Sequence, residues 1–134
     1  MIGLNTNVIV RYLTQDDPIQ SVIANKLISK SVDGQELLWI SQMTLAETVW
    51  VLERAYKISK SEMIEILHTL LQTVELVVEK HDLVFQALQD YKGSKYAGFV
   101  DCLIGRQNKS NDCVFTYTLD KEAAKDLNTF KLCT

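Results

Sequence analysis

Cysteine, proline and glycine are all scarce in this chain: three, one and five residues among 134. Cys102, Cys113 and Cys133 make an odd count with no C-x-x-C pair, which argues against a disulfide framework and for buried thiols in a reducing compartment. His68 and His81 lack a neighbouring His or Cys at metal-ligand spacing, so they are expected on helix surfaces rather than around zinc. No uninterrupted apolar run exceeds four residues, as in Leu37–Ile40 and Val49–Leu52, which is far too short to span a bilayer. The start, Met1-Ile2-Gly3-Leu4, has no cationic stretch of the kind that opens a signal peptide, so a cytoplasmic location is expected. An excess of basic residues is missing too: 14 Lys and Arg against 17 Asp and Glu give a net charge of −3. A protein that coats nucleic acid regardless of sequence is usually basic. A nucleic-acid role here therefore needs a local basic patch, or a cation that inverts the sign of an acidic site.

What is present is apolar substance: 47% hydrophobic residues against 23% charged, the balance of a folded domain. A chain of this length buries roughly 68% of its unfolded surface. With no linker, repeat or low-complexity stretch, residues 1–134 read as one domain.

Ile2-Gly3-Leu4 reads as a short buried strand, Asn5-Thr6-Asn7 as a turn, and Val8–Leu13 as a helix. Asp17-Pro18 supplies an N-cap and a first helical residue for a helix ending near Asp33-Gly34. Leu37–Ile40, wholly apolar, fits a buried parallel strand. Leu45, Val49, Leu52 and Tyr56 share a helical face, and Ser59-x-x-Glu62 is a capping box opening the next helix. Val74–Val78 reads as a third strand and Leu83–Tyr91 as a helix broken at Gly93-Ser94. A helix from Val100 to Asn111-Asp112, a strand at Cys113–Phe115 and a short helix from Asp120 to Leu127 follow. Strands alternating with helices predict a three-layer α/β/α sandwich around a central parallel sheet of four to five short strands.

In such sheets ligands gather beyond the carboxyl ends of the strands. Asn5, Glu47, Asp101 and Asp120 fall there. Each has an ordinary explanation as well. Thr44-x-x-Glu47 could be a capping box, Asp101 could answer a helix dipole, Asp120 could be an N-cap, and Asn5 could end a strand in a turn. The topology, however, brings all four to one edge, and converging carboxylates repel unless a cation holds them. Hard oxygen donors suit Mg²⁺ or Mn²⁺, and such an ion acidifies water and offsets charge on a phosphodiester.

At these residues the chain resembles a known family. Met1–Leu13 (Met-Ile-Gly-Leu-Asn-Thr-Asn-Val-Ile-Val-Arg-Tyr-Leu) resembles the opening of a PIN-domain ribonuclease, where Asp normally stands at the position of Asn5. Leu45–Leu52, Phe99–Ile104 and Thr118–Lys121 resemble the second, third and fourth motifs, in order and across essentially the whole chain. The subgroup resembled is the VapC-type toxin of toxin–antitoxin pairs. The resemblance implies a Mg²⁺- or Mn²⁺-dependent endoribonuclease held inactive by a cognate VapB-type antitoxin, whose tail lies across the active-site groove while its other half binds operator DNA. It also implies a homodimer or a toxin–antitoxin hetero-oligomer, with no membrane association. Glu47, Asp101 and Asp120 take the acidic positions, with Asn5 at the first of them. Thr6, Asn7 and Thr118 match polar residues that orient ligands or the attacking water.

Two departures stand out. Asn5 keeps one oxygen but loses a charge and turns an NH₂ donor toward the cation, so the chain reads as an impaired enzyme, as a deliberate Asp-to-Asn change would make it. Gly98 stands where relatives often place an additional Asp, which favours a single ion. For the substrate, Tyr91-Lys92-Gly93-Ser94-Lys95-Tyr96 interleaves basic and aromatic residues, a pattern suited to single-stranded RNA. Arg11, Arg106 and Lys109 are further candidates for the groove. Trp50, Tyr56 and Leu71 are candidates either for the core or for a partner surface.

Two other classes share features with this chain. A phosphoacceptor receiver domain expects adjacent acids after strand one and an Asp after strand three. Here Asn5-Thr6-Asn7 and Glu79-Lys80 occupy those places, against that reading. A catalytically inactive PIN-fold module that binds RNA or protein accommodates both Asn5 and Gly98.

Overall fold

The computed structural model describes residues 1–134 in twelve elements. They form two compact units, Met1–Glu79 and Lys80–Thr134. No helix is long and apolar enough to cross a membrane.

The first unit holds β1 (Ile2–Gly3), α1 (Thr6–Thr14), α2 (Gln20–Gly34), β2 (Leu38–Ile40), α3 (Gln42–Arg54), α4 (Lys60–Gln72) and β3 (Leu76–Val78). Its strands form a parallel sheet in the order β1-β2-β3, flanked by helices. Leu38 and Ile40 of β2 are completely buried with Trp39 half-buried between them, the pattern of a strand covered on both faces. The expected turn at Asn5–Asn7 is instead a helix start. The Asn5 side chain accepts the Thr6 N–H at 2.8 Å, so α1 begins at Thr6, and the β-branched run continues the helix by burying Ile9 and Val10. Asp17 Oδ1 accepts from the N–H groups of Ile19 and Gln20, capping a turn that leads into α2. Ser59 and Glu62 form the expected capping box, and Met63, Leu67 and Leu70 line the buried face of α4.

The second unit holds α5 (His81–Gly93), α6 (Phe99–Ser110), β4 (Thr116–Thr118), α7 (Lys121–Asp126) and β5 (Phe130–Leu132). α5 and α6 pack through Leu83, Val84, Ala87, Leu88, Phe99, Cys102 and Leu103, with the ring of Tyr91 edge-on to Phe99 at 5.9 Å. β4 and β5 form a two-stranded parallel sheet. The five strands are thus paired in a group of three and a group of two, all parallel. The strand expected at Cys113–Phe115 begins three residues later. Asp112 adopts a left-handed φ of 66°, and the Cys113 N–H returns to the Asn108 carbonyl, so this segment finishes α6 before the chain extends. No cysteine forms a disulfide; Cys102 is buried as expected, whereas Cys113 and Cys133 are exposed.

Candidate active site

In the first unit, parallel strands place the carboxyl ends of β1 and β2 at the same edge, and the next residues of each carry the candidate chemistry. Asn5 is the N-cap of α1 and Glu47 lies on the second turn of α3. The buried Thr6 hydroxyl donates a short hydrogen bond to Glu47 Oε1. The capping-box explanation for Glu47 fails, because the N-cap of α3 is Ser41, whose hydroxyl accepts the Thr44 N–H. Glu47 has no capping duty; it is oriented by Thr6. A cleft of about 370 Å³ opens there, lined by Asn5, Thr6, Asn7, Arg11, Glu47 and Tyr56 among others.

Arg11 reaches this cleft already engaged. Its guanidinium donates to Gln20 Oε1 at 2.7 Å and to the Tyr56 hydroxyl at 2.8 Å, and the Tyr56 hydroxyl donates to Asp16 at 2.7 Å. Hydrogen bonds from Thr14 and Tyr56, with the Arg11 charge nearby, hold the Asp16 carboxyl below the usual aspartate range. Glu79, just after β3, was passed over in the sequence although the strand-end rule points to it. Its Oε1 accepts the Gln42 N–H at 2.9 Å, so its charge sits on the positive end of α3.

In the second unit, Asp101 lies in the first turn of α6 and Asp120 is the N-cap of α7. Asp120 Oδ1 accepts from the N–H groups of Glu122 and Ala123, so its capping role is real. The Asp120 N–H donates to Thr118 Oγ at 3.0 Å, which fixes Thr118 beside it. Burial raises the Asp101 pKa, and the Asp120 charge raises it further.

Like Arg11, other residues expected at the substrate groove have structural roles. Arg106 makes a bidentate ion pair with Asp90, at 2.6 and 2.9 Å. Tyr91, in the basic–aromatic segment, is a core residue at 6% exposure. Lys92 sits in the last turn of α5, while Lys95 and Tyr96 are exposed, the Lys95 ammonium lying 5.2 Å from the Tyr96 ring. Trp50 is exposed on α3 with the Arg54 guanidinium over its ring. Asp126 went unnoticed in the sequence because its partners lie some 30 positions away. Its Oδ2 accepts the N–H groups of Lys95, Tyr96 and Ala97 at 3.0, 2.5 and 3.0 Å, anchoring the loop that delivers Asp101.

No three His, Cys, Asp or Glu side chains are grouped so as to hold a metal ion. The donors that are present suit a hard divalent cation nonetheless. Asp101 and Asp120 offer two carboxylates, with a hydroxyl at Thr118 beside Asp120; burial and the Asp120 charge both raise the Asp101 pKa, and a bound cation would favour its ionised form.

The PIN domain family matches residues 2–126. That match runs through both units and takes in Asn5, Glu47, Asp101 and Asp120. No characterised protein and no solved structure matches the chain. The chain belongs to the PIN domain family, whose members are in general metal-dependent nucleases.

Proposed function

From membership in that family we propose that this chain is a Mg²⁺- or Mn²⁺-dependent endoribonuclease of the VapC toxin type, weakened by Asn5 and restrained by a small cognate antitoxin. The observation that carries the reading is the PIN domain match over residues 2–126, which takes in Asn5, Glu47, Asp101 and Asp120. Asp101 and Asp120 are the residues that would hold the cation, beside the Thr118 hydroxyl; Glu47, oriented by Thr6, and Asn5 take their catalytic roles from the family motifs they match. The cation, when bound, acidifies a water and offsets the charge that develops on the phosphodiester. Thr118, kept beside Asp120 by its backbone hydrogen bond, and Asn7 orient polar groups of water or substrate. Lys92 and Lys95 meet RNA phosphates; Arg11 and Arg106 add positive potential while held by their own acidic partners.

The VapC assignment rests on the four motifs in register, and the antitoxin and the homodimeric or hetero-oligomeric state follow from it. The second reading, an inactive PIN-fold module that binds RNA or protein, is favoured by one observation: no three acidic side chains are grouped for a metal. Calorimetric titration with Mn²⁺ separates the two. On the nuclease reading, Asn5→Asp binds Mn²⁺ more tightly than the parent chain, and Asp101→Asn in the same background loses it. Absence of Mn²⁺ binding in both the parent and Asn5→Asp would leave the binding module as the better account.

A further inference from the structure

The small sheet of the second unit has two unlike faces. On one, the Thr116 hydroxyl accepts from Asn108 of α6 at 3.0 Å, and the ring of Phe130 lies against Gly105 of the same helix. Side chains alternate along a strand, so the neighbours of these residues face the other way. There Tyr117 is 61% exposed, and its register partner Lys131 is exposed beside it. Phe115, just before the strand, meets Tyr117 edge-on at 5.0 Å, and the Lys131 ammonium lies 5.0 Å from the Phe115 ring. Leu119 is exposed at the end of the same row. Neither strand carries an acidic residue.

We propose that this face, Phe115, Tyr117 and Lys131, is a docking surface for single-stranded RNA, with Tyr117 stacking a base and Lys131 meeting a phosphate. Three features select RNA as the occupant. Aromatic side chains beside a lysine are the pairing that single strands use, because every base has a face to stack and every link a charge to neutralise. Neither strand brings a carboxylate to the face and Lys131 brings a positive charge, so the charge of the two strands complements a polyanion. The row also lies close to the site: Tyr117 is three residues before Asp120, at most about 10 Å along the chain at about 3.3 Å per residue, within reach of a nucleotide close to the scissile link. The inference rests on the RNA-substrate half of the reading above and not on its catalytic half.

The test is fluorescence anisotropy of a labelled mixed-sequence single-stranded RNA, titrated with the full chain in the presence of a chelator. Tyr117→Ala is expected to weaken binding about tenfold, whereas Tyr117→Phe, which keeps the ring, binds like the parent. Lys131→Gln is expected to lower the slope of log affinity against log salt by about 0.7. A Tyr117→Ala chain that keeps its circular dichroism and binds RNA like the parent overturns the proposal. Conversion of a dimer to a monomer by Tyr117→Ala, seen by sedimentation with RNA affinity unchanged, also overturns it and gives the face to a second copy of the chain. If Asn5→Asp fails to cleave RNA while Tyr117→Ala still weakens binding, the nuclease reading falls and this one stands.

Discussion

Asp120 caps α7 with one carboxylate oxygen while its charge raises the pKa of Asp101 on α6, on top of the larger effect of burial. The relationship is unfavourable to the folded chain at neutral pH. Because the folded-state pKa of Asp101 lies above its unfolded value of 3.8, the stability tied to this group is fully present below that value and is lost as pH rises through the raised pKa. Asp101→Asn is therefore expected to melt at a higher temperature than the parent at pH 7, with the gap closing as the pH falls below 4. Mn²⁺ is expected to raise the midpoint of the parent and leave the variant unmoved. A variant less stable than the parent at pH 7 would contradict this account of the pair.

Asp126 should matter beyond its own helix. One oxygen serves three successive amides at Lys95, Tyr96 and Ala97, immediately before the turn that starts α6. Asp126→Ala removes that acceptor and is expected to lower stability by about 1–3 kcal/mol. Amide exchange should quicken at these three residues first. Asp126→Asn keeps an oxygen there and should fall between the two. Unchanged exchange at residues 95–97 in the alanine variant would show that the anchor is not needed.

Gly105 marks the closest approach of α6 to the segment before β5. A Cβ there would land on the buried Thr129 Oγ1 and 2.9 Å from the half-buried Phe130 ring. Gly105→Ala is expected to cost about 1–3 kcal/mol despite the better helix propensity of alanine. Thr129 Oγ1 is buried without a hydrogen-bond partner, so Thr129→Val alone should be neutral or stabilising. Chemical denaturation checks both, and a Gly105→Ala variant as stable as the parent would refute the packing argument.

Much of this was legible in the residues. Apolar periodicity placed the helices, and the strand-end rule picked out Asn5 and Glu47, which line one cleft. What escaped was non-local. The Thr44-x-x-Glu47 spacing mimics a capping box, but a cap is decided by where the chain turns, and Ser41 turns first. The strand at Thr116–Thr118 was placed early because Cys113-Val114-Phe115 is apolar, while the left-handed Asp112 and the bond from Cys113 to Asn108 keep that segment tied to the end of α6. Arg106 was set aside for RNA because nothing in its own neighbourhood reveals Asp90, one helix earlier. Tyr117 and Lys131 share a face only through the β4–β5 register, which no local pattern announces.

The central claim is that position 5 limits a nuclease. Asn5 caps α1 through its side-chain oxygen, and aspartate caps equally well, so Asn5→Asp should leave the fold intact while restoring a carboxylate. The most direct measurement is Mn²⁺-dependent cleavage of bulk cellular tRNA by the parent chain, by Asn5→Asp, and by Asn5→Asp with Asp101→Asn. The account predicts cleavage by Asn5→Asp at a rate at least tenfold above the parent, abolished by the second substitution and by chelation of the metal. Equal rates in the parent and Asn5→Asp, or cleavage that survives Asp101→Asn, would contradict it.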